Sequence, residues 1–138
     1  MRRLFAHLLS PSLRPRWRIA FWVYAAALFI GTHIPRFQLD VPGVERPDLA
    51  LHLLAFCGWF GLFWLTGYAA SPRRWRSIPL AFIIACLYAA ADELLQGIPG
   101  LDRTVAWDDY LSNVGGIALG ALIAGLILLI LPHPTRHD

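Results

Sequence analysis

Four apolar runs divide the chain, with proline, glycine and charge between them. They extend from about Trp17 to Ile34, Leu49 to Ala70, Ile78 to Ile98 and Tyr110 to Leu131. Each approaches the roughly 20 residues an α-helix needs to cross ~30 Å of hydrocarbon. The pattern predicts an all-α, polytopic membrane protein: a bundle of four transmembrane helices with short connections. A basic segment (residues 1–16) precedes the transmembrane domain (17–131), and a short tail (132–138) follows it. Leu4 to Leu9 suit a short helix lying at the interface. The first run is long and no small-residue cleavage site follows it, so it reads as an uncleaved span, not a signal peptide.

Inside the runs, two stripes of small residues recur at helical spacing. Ala81, Ala85 and Ala89 lead to Glu93, with Gln96 nearly one turn on; Gly116, Gly120 and Ala124 continue a face that begins with Asp109 and Asn113. Small residues four apart let a neighbouring helix approach closely, so both stripes predict packing faces turned into the bundle. Asp48 and His52 share a face of the second run in the same way. Ionisable groups in a lipid-facing position cost several kcal/mol unless they find a partner. His52, Glu93 and Asn113 are therefore expected to meet inside the bundle, near one membrane surface.

Composition agrees with lipid as the solvent. The chain is 57% hydrophobic and 15% charged, with mean hydropathy +0.53, whereas soluble domains carry about 25% charged residues. All 12 basic residues are Arg, and nine flank the inner ends of the runs: Arg2, Arg3, Arg14, Arg16, Arg18, Arg73, Arg74, Arg76 and Arg136. Arg36, Arg46 and Arg103 lie in the other two connections, and every acidic residue except Asp138 falls on that opposite side. The positive-inside rule then places both termini in the cytoplasm. The Arg residues border apolar runs and form no patch interleaved with aromatics, which argues against nucleic-acid binding. Cys57 and Cys86 lie in apolar runs without metal-ligand spacing and read as packing residues. No metal or cofactor is expected.

Taken in order, these residues resemble the VanZ-like family. Thr32 to Pro35 match a Ser/Thr-x-x-Pro that closes its first span, and Asp48 and His52 match an Asp-Lys-x-x-His that opens its second. Asp92, Glu93 and Gln96 match its Asp-Glu-x-x-Gln, and Arg103, Asp109, Asn113, Gly116 and Gly120 match its Arg followed by Asp-x-x-x-Asn-x-x-Gly-x-x-x-Gly. Leu49 stands where the family usually has Lys and Phe56 where Tyr is common; Arg46 offers a nearby cation instead. The resemblance implies an envelope protein with a link to teicoplanin-type glycopeptide tolerance.

The candidate binding residues are Asp48, His52, Glu93, Gln96, Arg103, Asp109 and Asn113. The leading expectation is a non-enzymatic protein that binds a membrane lipid or an envelope-active ligand at an outward-facing polar site. A membrane enzyme acting on a lipid headgroup or lipid-linked cell-wall precursor is the first alternative, with His52 as base or nucleophile, Asp48 orienting it and Glu93 as acid. A small transporter is the second, although the acidic groups occupy only one half of the bilayer. The small-residue stripes also permit self-association into a homo-oligomer.

Overall fold

The computed structural model describes residues 1–34, 43, 45–99 and 105–131. Among them all regular structure is helical. A short helix α1 (Arg2–Leu8) and a single 3-10 turn (Pro11–Leu13) lead into four long helices: α2 (Arg14–Thr32), α3 (Pro47–Thr66), α4 (Ser77–Gln96) and α5 (Trp107–Ile130). The helices alternate in direction, so the same end of the bundle receives the end of α2, the start of α3, the end of α4 and the start of α5.

Three of the four, α3, α4 and α5, are long and apolar enough to cross a membrane. The first expected span differs from the other three. Its helix begins earlier than Trp17, and Arg14, Arg16 and Arg18 fall within its first five residues, which lowers its mean hydropathy. α3 stops short of Ala70 because Gly67 adopts a left-handed conformation, φ 72°, directly after Thr66. Such a residue ends a helix at no steric cost when it is glycine. α5 begins at Trp107, which brings Asp108 and Asp109 into its first turn.

The contact between α3 and α5 is the most extensive in the bundle. Glycine makes it possible. A Cβ on Gly116 would collide with the backbone carbonyl oxygen of Leu53, and one on Gly120 would lie 2.9 Å from Phe60 Cδ1 and 3.1 Å from the Cys57 carbonyl oxygen. The two backbones therefore run in direct contact, which in lipid supplies the dispersion energy that the hydrophobic effect cannot. α4 adds its alanine stripe, with Ala81, Ala85 and Ala89 fully buried.

Aromatic rings join α2 and α4 to this pair. Phe21 of α2 meets Trp59 at 5.2 Å and Phe63 at 5.4 Å, and Trp59 stacks on Tyr88 of α4 at 4.6 Å. The Tyr24 hydroxyl donates to the Ala55 carbonyl at 2.8 Å, over the face left open by Gly58. A tyrosine in an apolar setting places its ring in the core and satisfies its hydroxyl on the backbone.

At the basic end, Arg18 Nε donates to the Thr66 carbonyl at 3.4 Å while its guanidinium lies over the Tyr68 ring, and Trp64 Nε1 donates to Ser77 Oγ at 2.8 Å. Arg73 reaches the Ala6 carbonyl at 3.0 Å and Trp17 the Leu8 carbonyl at 2.9 Å. These bonds hold α1 against the bundle and satisfy carbonyls near its free C-terminal turn.

The glycine contact separates two neighbouring positions. Gly116→Ala should destabilise the folded protein by about 1–3 kcal/mol, because helix backbone must move apart. Gly115, which has only Leu53 Cδ1 at 3.8 Å before it, should tolerate alanine or gain up to about 1 kcal/mol from helix propensity. Unfolding of the two variants in mixed micelles measures the difference.

Candidate functional site

The end of the bundle opposite the Arg cluster gathers the chemistry. Every described carboxylate lies there: Glu45, Asp48, Asp92, Glu93, Asp108 and Asp109. With a rise of about 1.5 Å per residue, His52, Glu93 and Asn113 all sit within about 9 Å of the helix ends. All three are buried, Asn113 completely and Glu93 to 3% exposure.

The polar groups form three nodes. In the first, His52 Nδ1 lies 2.9 Å from Asn113 Oδ1. An amide oxygen only accepts, so this ring nitrogen carries the proton. That leaves Nε2 facing Asp109 Oδ2 at 3.8 Å, where protonation of the ring would create an ion pair. Ser112, the residue before Asn113, donates its hydroxyl proton to the Leu49 carbonyl. The α3–α5 seam thus passes from glycine contacts to polar contacts as it approaches this surface.

The second node joins α2 to α4. Asp92 Oδ1 lies 3.2 Å from Thr32 Oγ1, and its Oδ2 accepts from Gln96 Nε2 at 3.4 Å. His33 Nδ1 approaches Asp92 to 3.9 Å while lying 2.8 Å from the Phe29 carbonyl. Asp92 and Gln96 are essentially inaccessible. Glu93, one residue on, turns to α5 instead, where its Oε1 accepts from the Ala106 backbone N–H at 2.7 Å. That bond satisfies a donor just before α5 begins and fixes the start of the helix against α4.

The third node is exposed. Arg46 donates to both oxygens of Asp48, at 2.9–3.2 Å, and reaches Asp108 at 2.8 Å and Asp109 at 3.8 Å. Hydrogen bonds to Asp48 first and Asp108 second hold its guanidinium further above its ordinary range. Exposed pairs of this kind add little stability, but this one clamps the start of α3 to the start of α5.

Of the sequence-derived site residues, His52, Asn113 and Asp109 come together directly, and Glu93 and Gln96 flank them on α4. Asp48 shares the end but bonds Arg46, so Asn113 and Asp109, not Asp48, are the polar partners of His52. Arg103 lies outside the described residues. Thr32, His33 and Ser112 were not assigned a role from sequence, and Asp92 had no partner. Thr32 and Asp92 both belong to the matched motifs, which was the one available signal for their pairing across 60 residues.

A family model, VanZ/LLP1, matches residues 11–129, which cover all four long helices except the last residue of α5. The chain belongs to the VanZ/LLP1 family. With its apolar helices, it is a membrane protein of that family. No curated protein and no solved structure matches it.

Among the described residues of this VanZ/LLP1 chain seven buried side-chain polar atoms have no hydrogen-bond partner; Arg14 Nε and Trp59 Nε1 lie away from this end, and five belong to it: Glu93 Oε2, Gln96 Oε1, Asp109 Oδ1, Asn113 Nδ2 and His33 Nε2. All five lie in or beside the nodes, and buried polar atoms are ordinarily satisfied. Among the described residues no group of three His, Cys, Asp or Glu side chains converges to hold one metal ion.

The nodes predict an energetic grouping. Double-mutant cycles should give His52→Ala with Asn113→Ala, and Thr32→Val with Asp92→Asn, coupling energies of about 0.6–1.7 kcal/mol. Thr32→Val with Asn113→Ala should add within about 0.5 kcal/mol. Unfolding free energies of the single and double variants measure these couplings.

Proposed function

We propose that the chain is a four-span protein of the bacterial inner membrane, with both termini in the cytoplasm, which binds a lipid headgroup or an envelope-active ligand at its outer face. α2 serves as the first span. Its 19 residues reach about 28 Å, and its exposed face carries Ile19, Trp22, Val23 and Ile30. Arg14 and Arg18 sit at its inner end, where long side chains extend to the headgroups. The Arg-rich end faces the cytoplasm by the positive-inside rule, so the carboxylate end faces outward.

One observation carries the binding reading. Buried side chains from α3, α4 and α5 converge at a single depth, and several of their polar atoms lack a partner. A purely structural network would close on itself, because an unsatisfied buried group costs about 1–3 kcal/mol. A ligand that completes these bonds recovers that energy on binding. The link to teicoplanin-type tolerance follows from family membership and the outward position of the site. In an enzyme reading Asp48, expected to orient His52, is engaged by Arg46, and the carboxylate beside the ring is Asp109 instead, at 3.8 Å. For a transporter, the acidic groups occupy one end of the bundle alone.

Two experiments test the proposal. In a chain whose Cys57 and Cys86 are replaced by Ala, a cysteine at exposed Trp107 should react with an impermeant maleimide added outside intact cells. A cysteine at Arg74 should react only after the membrane is opened; the opposite pattern would reverse the topology. In a host made teicoplanin-tolerant by the chain, Glu93→Gln and His52→Ala should remove the tolerance at equal membrane abundance. Loss of a charged hydrogen bond costs about 1.5–3 kcal/mol, roughly tenfold or more in ligand affinity. Unchanged tolerance together with unchanged lipid retention would overturn the binding site.

A further inference from the structure

The unpartnered atoms at the outer end are not a random mixture. Glu93 Oε2, Asp109 Oδ1 and Gln96 Oε1 are all acceptors without a hydrogen bond, and two belong to carboxylates; Asp109 Oδ1 has Arg46 at 3.8 Å, whereas Glu93 Oε2 and Gln96 Oε1 have no such cation among the described residues. Asn113 Nδ2 is the one obligatory donor among the five atoms, and His33 Nε2 takes either role. Formal charge points the same way. Six described carboxylates share this end with one described Arg, and Arg46 is already engaged by Asp48 and Asp108. In the whole sequence the two outer connections and adjoining helix ends hold eight carboxylates against Arg36, Arg46 and Arg103. Glu93 is 3% exposed and its Oε1 is already bound to the Ala106 N–H, so its second oxygen is a buried acceptor without a partner among the described residues.

We propose that the ligand of this site carries a primary ammonium group, and that Glu93, with Asp109 and Gln96, receives it. This inference rests on the headgroup-binding reading and specifies its chemistry. An ammonium brings three N–H donors and no acceptor, the complement of an acceptor-rich cluster. Its charge makes each bond to a carboxylate stronger than a neutral one. A phosphate or carboxylate group would instead set its acceptor oxygens against those of Glu93, Asp109 and Gln96. A bare metal ion fits less well, since no three described His, Cys, Asp or Glu side chains converge on one point. A quaternary ammonium has the charge but no N–H, and leaves the three oxygens unsatisfied. The amine reaches this depth either on an aminophospholipid, whose acyl chains lie along the exposed apolar faces of the helices, or as a soluble amine entering from outside.

Native mass spectrometry of the full chain tests the assignment, with dioleoyl phosphatidylethanolamine, phosphatidylglycerol and phosphatidylcholine supplied in equal amounts. Phosphatidylethanolamine should be retained about tenfold more than either other lipid, corresponding to 1.4 kcal/mol. Glu93→Gln keeps an acceptor for the Ala106 N–H and removes the charge; Asp109→Asn provides a second, independent variant. Both should bring the three lipids close to equality. Free ethanolamine should displace the bound lipid while choline does not. Retention of ethanolamine without the lipid would support the same ammonium chemistry from a soluble source.

Equal retention of all three lipids by the unmodified chain, or a preference that survives both substitutions, would overturn the ammonium assignment. Preferential retention of phosphatidylglycerol that is lost on His52→Ala would also overturn it, yet would leave the headgroup site standing. Retention that responds to none of the substitutions would remove site and ligand together.

Discussion

Backbone contact between α3 and α5 sets the positions of everything else in the bundle. Lipid offers helices no hydrophobic reward for associating, so packing density and polar contacts must hold them together. Gly116 and Gly120 let α5 rest on the peptide groups of Leu53 and Cys57 themselves. A pair held that closely has little freedom to slide or rotate. The register it imposes then brings Ser112 to the Leu49 carbonyl and Asn113 to His52. A one-residue rotation of α5 would turn Asn113 by about 100° and strand the His52 ring in an apolar wall. Polar pairing at the acidic end is thus a consequence of glycine packing further along the same seam.

α4 and α2 meet this rigid pair through different means. The alanine stripe gives α4 a narrow face, and Glu93 at its top binds a backbone N–H just ahead of α5. α2 has no such stripe. It is held by Phe21 against Trp59 and Phe63, by Tyr24 on the Ala55 carbonyl and by Thr32 on Asp92. Contacts at the middle, at the basic end and at the acidic end fix a helix whose hydropathy is the weakest of the four. Because ring contacts and side-chain bonds leave more clearance than backbone contact does, the Thr32–Asp92 node is the more adjustable of the two buried nodes.

Helix faces were legible in the sequence because a period of four residues is enough to define them. Ala81 to Glu93 and Asn113 to Ala124 announced their burial without any knowledge of the partner. Pairings between helices were harder to read. Asp48 and His52 share a face by spacing, yet the exposed first turn leaves Asp48 to Arg46, two residues earlier, while His52 turns into the bundle. Thr32 and Asp92 lie on helices that are not consecutive, and no local pattern links them. Helix ends were also blurred: polar Asp108 and Asp109 read as connection, although acidic residues suit the first turn of a helix. At the start of α2, Arg residues read as flanking charge, and they prove to be helical, with Arg14 and Arg18 reaching back over the basic end.

The departures at Leu49 and Phe56 acquire a physical meaning from the same geometry. A lysine at position 49 would add an ammonium of the protein's own to the first turn of α3. Leucine leaves no cation at that position. Arg46 provides one, but from the exposed rim, where Asp48 and Asp108 hold it. Phe56 is fully buried and packs near Tyr88, so a phenol hydroxyl is also missing from the interior. Both changes subtract hydrogen-bond donors from the region around His52 and Glu93, while the carboxylates remain. A chain that loses donors and keeps acceptors leaves its buried oxygens to be satisfied from outside. That imbalance favours a ligand that donates over one that accepts.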